Sequence, residues 1–219
     1  MTDRAQRRRI VHYSHACAFL LENMTRFGEA RFLTSVAAPA QFPADLGAEV
    51  AFAGRSNAGK SSAINAIAQR RGLAHTSKTP GRTRLLNYFE LAPQKRLVDL
   101  PGYGYASVAE AEQEAWLPLL EALRERASLR GLFLIVDSRR GMTEQDEGLI
   151  EWAQRPHRLH VLLSKADKLN RSEQATALRT ATARLGGHGT AQLFSALRGV
   201  GVHEAQETIA TWLGLGPRH

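Results

Sequence analysis

From residue 48 onward, short apolar runs alternate with stretches whose apolar residues recur at helical spacing. EVAFAG (49–54), GLFLIVD (131–137) and LHVLLS (159–164) are almost unbroken apolar runs, the pattern of strands buried on both faces of a parallel sheet. LLNYFEL (85–91) and KRLVDL (95–100) are joined only by APQ. That link is too short for a parallel crossover, so the pair predicts an antiparallel hairpin at one sheet edge. AQLFSA (191–196) predicts a shorter sixth strand. Helical patterns fall between the strands at 60–69, 107–128, 144–154, 172–185 and 202–213. In the second of them Trp116, Leu119, Leu120 and Leu123 share one face. This alternation predicts an α/β protein in three layers, a mainly parallel six-stranded sheet with helices on both faces.

The first residues depart from the rhythm. ARFLTSVA (30–37) predicts a strand added to the sheet, and AAPAQFPADLG (37–47) is a proline-rich connector. The expected organisation is an N-terminal extension over 1–47, partly ordered as helix plus strand, a main domain over 48–214 and a tail over 215–219. RAQRRR (4–9) followed by IVHYSHACAFLL imitates a secretion signal. His12, Ser14 and His15 interrupt that apolar run, however, and no convincing small-residue cleavage site follows. No window approaches the roughly 20 apolar residues of a membrane span. A soluble, cytoplasmic protein is expected.

Composition changes this picture little and charge changes it more. The 43% hydrophobic fraction suits a folded chain. A single cysteine, Cys17, excludes an intrachain disulfide framework and a multi-cysteine metal site. The net charge of +8 and a pI near 10.2 favour an anionic partner such as nucleic acid, although some proteins are merely basic. Between Val50 and Phe89, Arg55, Lys60, Arg70, Arg71, Lys78, Arg82 and Arg84 meet no acidic residue. A bound nucleotide's phosphates would use part of that field and leave the rest for something else.

The chemistry begins where the first buried strand ends. Gly54-Arg55-Ser56-Asn57-Ala58-Gly59-Lys60-Ser61 fits GxxxxGK[ST] between a strand and a helix, the context that gives the pattern its meaning. Glycines let the backbone wrap phosphate oxygens with its N–H groups, and the helix that follows aims its positive end at them. Lys60 is expected on the β- and γ-phosphates and the Ser61 hydroxyl on Mg²⁺. Farther on, Ser164-Lys165-Ala166-Asp167 ends another buried strand. A carboxylate there accepts from the ring N–H and the exocyclic amine of guanine, a donor pair that adenine lacks. Lys165 is expected to lie along the base and brace the loop. Phe194-Ser195-Ala196 is expected to offer backbone N–H groups to the guanine oxygen. These positions sit at the carboxyl ends of strands, where ligands of such sheets bind. The nucleotide is therefore read as GTP and GDP. Asp99-Leu100-Pro101-Gly102 would sense the γ-phosphate, with Asp99 on Mg²⁺ through water and the Gly102 N–H on the phosphate. The polar, turn-rich TSKTPGRTR (76–84) resembles a segment ordered by γ-phosphate and Mg²⁺, and Thr83 is the candidate for a further Mg²⁺ ligand.

Together GRSNAGKS, TSKTPGRT, DLPGYGYA, SKAD and FSA resemble the motif set of a translation-factor-related GTPase, and specifically the EngB-type GTP-binding family. The likeness runs from about residue 30 to 213. It implies a Ras-like P-loop GTPase fold with an N-terminal helix-strand addition, Mg²⁺-dependent GTP hydrolysis, a role in assembling the large ribosomal subunit, and a need for the protein in normal cell division and growth. It maps nucleotide contacts onto Gly54–Ser61, onto Gly81, Arg82, Thr83, Arg84 and Leu85, onto Asp99–Gly102, Ser164–Asp167 and Phe194–Ala196, and Mg²⁺ ligands onto Ser61 and Thr83. The guanine motif of the family usually begins with Asn or Thr; here Ser164 keeps a hydroxyl.

In Ras-type GTPases a glutamine after the motif glycine orients the attacking water. Tyr103 stands there instead, so the expected intrinsic rate is low and the catalytic set is Lys60, Asn57 and Gly102. Asn57 matches a position resembling the potassium site of cation-stimulated GTPases, which makes K⁺ a candidate cofactor. Arg82 is a weaker candidate for an arginine finger in cis. Two other functions compete: a small-molecule kinase or ATPase, which SKAD and the chain length disfavour, and a non-enzymatic RNA-binding protein with structural GTP. Short loops and no heptad seam predict a monomer.

Overall fold

The computed structural model describes residues 27–75, 85–104, 117–153 and 156–215. Its strands are β1 (Arg31–Val36), β2 (Ala48–Gly54), β3 (Leu86–Ala92), β4 (Lys95–Asp99), β5 (Leu129–Asp137), β6 (Arg158–Ser164) and β7 (Thr190–Leu193). Its α-helices are α1 (Lys60–Ile67), α2 (Leu117–Arg124), α3 (Glu144–Trp152), α4 (Arg171–Leu185) and α5 (Val202–Leu213). The seven strands form one sheet in the order β1-β3-β4-β2-β5-β6-β7. β4, β2, β5, β6 and β7 run parallel, while β1 and β3 pair antiparallel with each other and β3 antiparallel with β4.

Alternation of side chains across the central strands separates two cores. Phe52 and Phe133 point to one face, where their rings stack at 5.2 Å and pack with Ile64, Ile67, Ile209 and Leu213 of α1 and α5. Ala51, Ala53, Leu132 and Leu134 point to the other, against Leu120 and Leu123 of α2, Leu149 of α3 and Leu185 of α4. Residues of β2 are buried throughout, which is why its sequence is apolar without a period of two.

Three sequence expectations are corrected. The 85–100 hairpin is not at the edge, because β1 pairs along β3 and takes that place. The last strand stops at Leu193 rather than continuing to Ala196, because the chain turns there and Ser195 donates its N–H to the Val200 carbonyl. Helix α1 ends at Ile67. Residues 107–116 of the predicted second helix, Trp116 among them, lie outside the described residues; Leu119, Leu120 and Leu123 are buried on α2.

Polar groups also sit inside the sheet. Glu49, fully buried near the start of β2, receives Arg96 at 2.5 Å and Arg126 through two bonds of 2.9 Å. Arg126 also donates to the Pro43 carbonyl and lies over the Phe42 ring. His160 on β6 bridges Thr190 and Gln192 of β7 at 2.6 and 2.8 Å. Gln192 donates its amide to the Gly201 carbonyl, so its oxygen accepts from His160 Nε2.

Burial holds the His160 pKa below its ordinary value, with the Gln192 bond opposing. Its contribution to stability is therefore complete above the unfolded value, near 6.5, and is lost as pH falls from there through the folded value. Urea midpoints measured between about pH 7.5 and about pH 5 are expected to drop over that window. His160→Gln is expected to flatten the drop, and equal slopes in both proteins would exclude His160 as its source.

Candidate nucleotide-binding site

Five parallel strands deliver their carboxyl ends, and the loops that follow them, to one side of the sheet. The loop after β2 is shaped by two glycines with different duties. A Cβ on Gly54 would lie 2.8 Å from the Ile135 carbonyl, so the first glycine of the motif is required by the approach of β2 to β5. Gly59, at φ 102°, is the N-cap of α1 in a left-handed conformation that L side chains avoid. The first N–H groups of α1 have no intrahelical acceptor and carry its positive dipole end. Lys60 pairs with Asp99, the last residue of β4. Burial pushes the Asp99 carboxyl up, and the Lys60 ammonium pulls it partly back.

The loops after β2 and β6 are stitched together. The Ser164 hydroxyl lies 2.5 Å from the Ala58 carbonyl and 3.1 Å from that of Val136, and donates its one proton to the nearer. Lys165 reaches the Asn57 carbonyl at 2.6 Å and Asp137 at 2.9 Å. Asn57 and Lys165 both have positive φ, 63° and 58°, so the stitch joins two backbone positions that are unusual for residues with a Cβ. Asp137, at the end of β5, also accepts from the Arg139 backbone and guanidinium. Burial alone would raise its pKa; the bonds from Arg139 and Lys165 outweigh it and hold the carboxyl below the usual range. Asp137 was not among the residues singled out from sequence. Its signal was present as an acid closing the apolar run GLFLIVD at the carboxyl end of a parallel strand.

Next to this pair, Ser195 donates to Asp167 at 2.5 Å, which lowers the Asp167 pKa and fixes one carboxylate oxygen. Phe194 and Ser195 give their own N–H groups to the Leu163 and Val200 carbonyls. The expectation that all three residues of FSA offer N–H groups to a ligand therefore narrows to Ala196. Leu100 donates to the Phe52 carbonyl, which docks the 99–102 segment beside the phosphate loop. Leu85 is half-buried just before β3. Gly81, Arg82, Thr83 and Arg84 lie outside the described residues.

A family model described as "50S ribosome-binding GTPase" matches residues 49–165, more than half of the chain. The "Probable GTP-binding protein EngB" of Methylococcus capsulatus is 52% identical over 191 residues, covering 84% of this chain and 91% of that protein. The chain belongs to the EngB family of GTP-binding proteins. The relative of the same name from Aromatoleum aromaticum is 51% identical over 199 residues, 88% of this chain and 91% of its own length. A crystal structure of an EngB protein matches 77% of this chain and all of its own with a TM-score of 0.59 at 20% identity. Era, solved with MgGDPNP and nucleotides 1506–1542 of 16S ribosomal RNA, matches 78% of this chain and 58% of its own, also with a TM-score of 0.59 at 20% identity. These two likenesses speak for the P-loop GTPase fold. Membership of the EngB family makes the chain a GTP-binding GTPase.

GTPases of this fold commonly work with Mg²⁺. The donors near the EngB loop fit a hard cation: the Ser61 hydroxyl and the buried Asp99 carboxylate are both oxygen ligands. Among the described residues no group of three or more His, Cys, Asp or Glu side chains gathers to hold a metal by itself. Nor does any described helix have the length and apolarity to cross a membrane.

Proposed function

We propose that this EngB-family GTPase binds GTP and GDP across the loops after β2, β4, β6 and β7, hydrolyses GTP slowly, and acts as a monomeric cytosolic switch in assembly of the large ribosomal subunit. Normal cell division and growth would depend on it. The observation that supports the nucleotide reading is the stitch of Ser164 and Lys165 onto the carbonyls of Ala58 and Asn57, which joins the loop after β6 to the loop after β2. The ribosomal reading draws its support from the description of the matching family and from the chain's positive charge.

In this proposal residues 54–61 wrap the phosphates, and Lys60 passes from Asp99 to the β- and γ-phosphates. Asp167 accepts from the guanine edge, Ser164 and Lys165 hold the two loops together, and Ala196 donates to the base oxygen. Ser61, Thr83 and, through water, Asp99 would hold Mg²⁺, which neutralises phosphate charge as it develops. Gly102 donates to the γ-phosphate. Residues 48–214 form the GTP-binding unit. Tyr103 cannot orient a water as glutamine does, so Asn57 is assigned as the residue that would hold a K⁺, which would supply positive charge to the phosphates.

Co-sedimentation with purified ribosomal subunits tests the switch. Binding to the large subunit is expected with a non-hydrolysable GTP analogue, not with GDP, and should weaken steeply with salt. Equal binding in both nucleotide states would favour the competing reading, an RNA-binding protein in which guanine nucleotide is structural. A parallel arm compares hydrolysis in K⁺ and Na⁺; equal rates would remove the potassium assignment.

A further inference from the structure

Tyr103 is held at two places, one on its backbone and one at the tip of its ring. Its carbonyl accepts from the Ser56 N–H at 2.9 Å, and Arg55 and Tyr103 form an isolated parallel β-bridge. Its hydroxyl donates to Oδ1 of Asp146, in the first turn of α3. Asp146 is itself almost fully buried and immobilised, with Oδ2 accepting from the Thr143 backbone at 2.6 Å and hydroxyl at 2.8 Å as the cap of α3. The residue before Tyr103 is Gly102. A Cβ on Gly102 would lie 3.0 Å from the Ser56 hydroxyl oxygen, so its backbone is already packed on the phosphate loop.

We infer that Tyr103 is a positioning residue: a strut from α3 that pre-docks the Gly102 N–H against the phosphate loop, so that the γ-phosphate meets a donor already in place. The position that lacks a water-orienting amide thus acts in ground-state recognition of GTP. A donor fixed before binding loses little conformational freedom when it engages, whereas a free one must be ordered at that step. A bond to a buried carboxylate is strong enough to do this, since charge-assisted hydrogen bonds are about twice as strong as neutral ones. Because β- and α-phosphates are held by the loop itself, the strut should matter for GTP and not for GDP. The inference rests on the assignment of Gly102 as γ-phosphate sensor.

Titrations with GDP and with a non-hydrolysable GTP analogue test it. Tyr103→Phe is expected to weaken analogue binding about tenfold and to move GDP affinity by less than about twofold. In an Asp146→Ala background the same substitution should have no further effect, because its acceptor is gone. Equal losses for both nucleotides, no loss for either, or an undiminished loss in the Asp146→Ala background would overturn the strut. If Asp146→Ala does not fold, the two affinities of Tyr103→Phe decide alone. Gly102→Ala separates the inference from its premise. If it leaves the ratio of the two affinities unchanged, the sensor assignment fails and the strut with it. If it shifts that ratio and Tyr103→Phe does not, only the strut fails.

Discussion

Replacing Asp167 by asparagine is expected to weaken GDP and GTP binding by about 10²- to 10³-fold and to improve binding of the xanthine nucleotides. The reason is the pattern of donors and acceptors. A carboxylate offers two acceptors, matching the ring N–H and the amine of guanine. An amide offers one acceptor and one donor. Against guanine the amide N–H₂ faces the exocyclic amine, two donors in opposition; against xanthine it faces a carbonyl. The Ser195 hydroxyl, which now donates to Asp167 at 2.5 Å, can rotate to serve either group, so the loop should keep its shape. Competitive displacement of a fluorescent guanine nucleotide by GDP and by XDP measures both effects. Unchanged GDP affinity would mean that the base lies elsewhere.

A second large effect is expected far from that site. Glu49→Ala leaves Arg96 and Arg126 facing each other without their shared carboxylate, both of them nearly buried. Removing one member of a buried ionic group while its partners remain costs about 3–5 kcal/mol, because the orphaned charge keeps its desolvation penalty. For a chain of this size that corresponds to a melting temperature lower by about 6–20 °C. Glu49 and Gly54 are at opposite ends of β2, about 17 Å apart at ordinary strand rise. GDP affinity measured well below the melting transition should therefore be close to that of the parent protein. A variant as stable as the parent would show that the cluster contributes no net stability.

The two effects also mark what was legible in the sequence. The phosphate loop and the base loop follow local rules, a fixed spacing at the end of an apolar strand, and the structure brings Asn57 and Lys165 within 2.6 Å across 108 positions of chain. That the sheet is mainly parallel was readable from the alternation of buried apolar runs with helical stretches. Glu49 was harder: inside EVAFAG it looked like one polar residue at the start of a strand, and its partners are 47 and 77 positions away. The edge was misplaced because nothing in LLNYFEL states which strand lies beside it; the answer depends on ARFLTSVA, separated from it by a complete βα unit. The end of β7 was misjudged because Phe194 is buried like a strand residue, while the turn that follows is fixed by Ser195 bonding to Val200. Asp137 shows the converse case, a visible acid whose purpose appears only when Lys165 arrives from 28 positions away to join Arg139 beside it.

Because Lys165 clasps the Asn57 carbonyl while Ser164 clasps that of Ala58, the loops after β2 and β6 are joined at two adjacent points. If nucleotide spans both loops as proposed, loosening one of them would disturb the other. A factor that speeds nucleotide exchange would then need leverage on only one of the two loops, with the clasp carrying the displacement to the other.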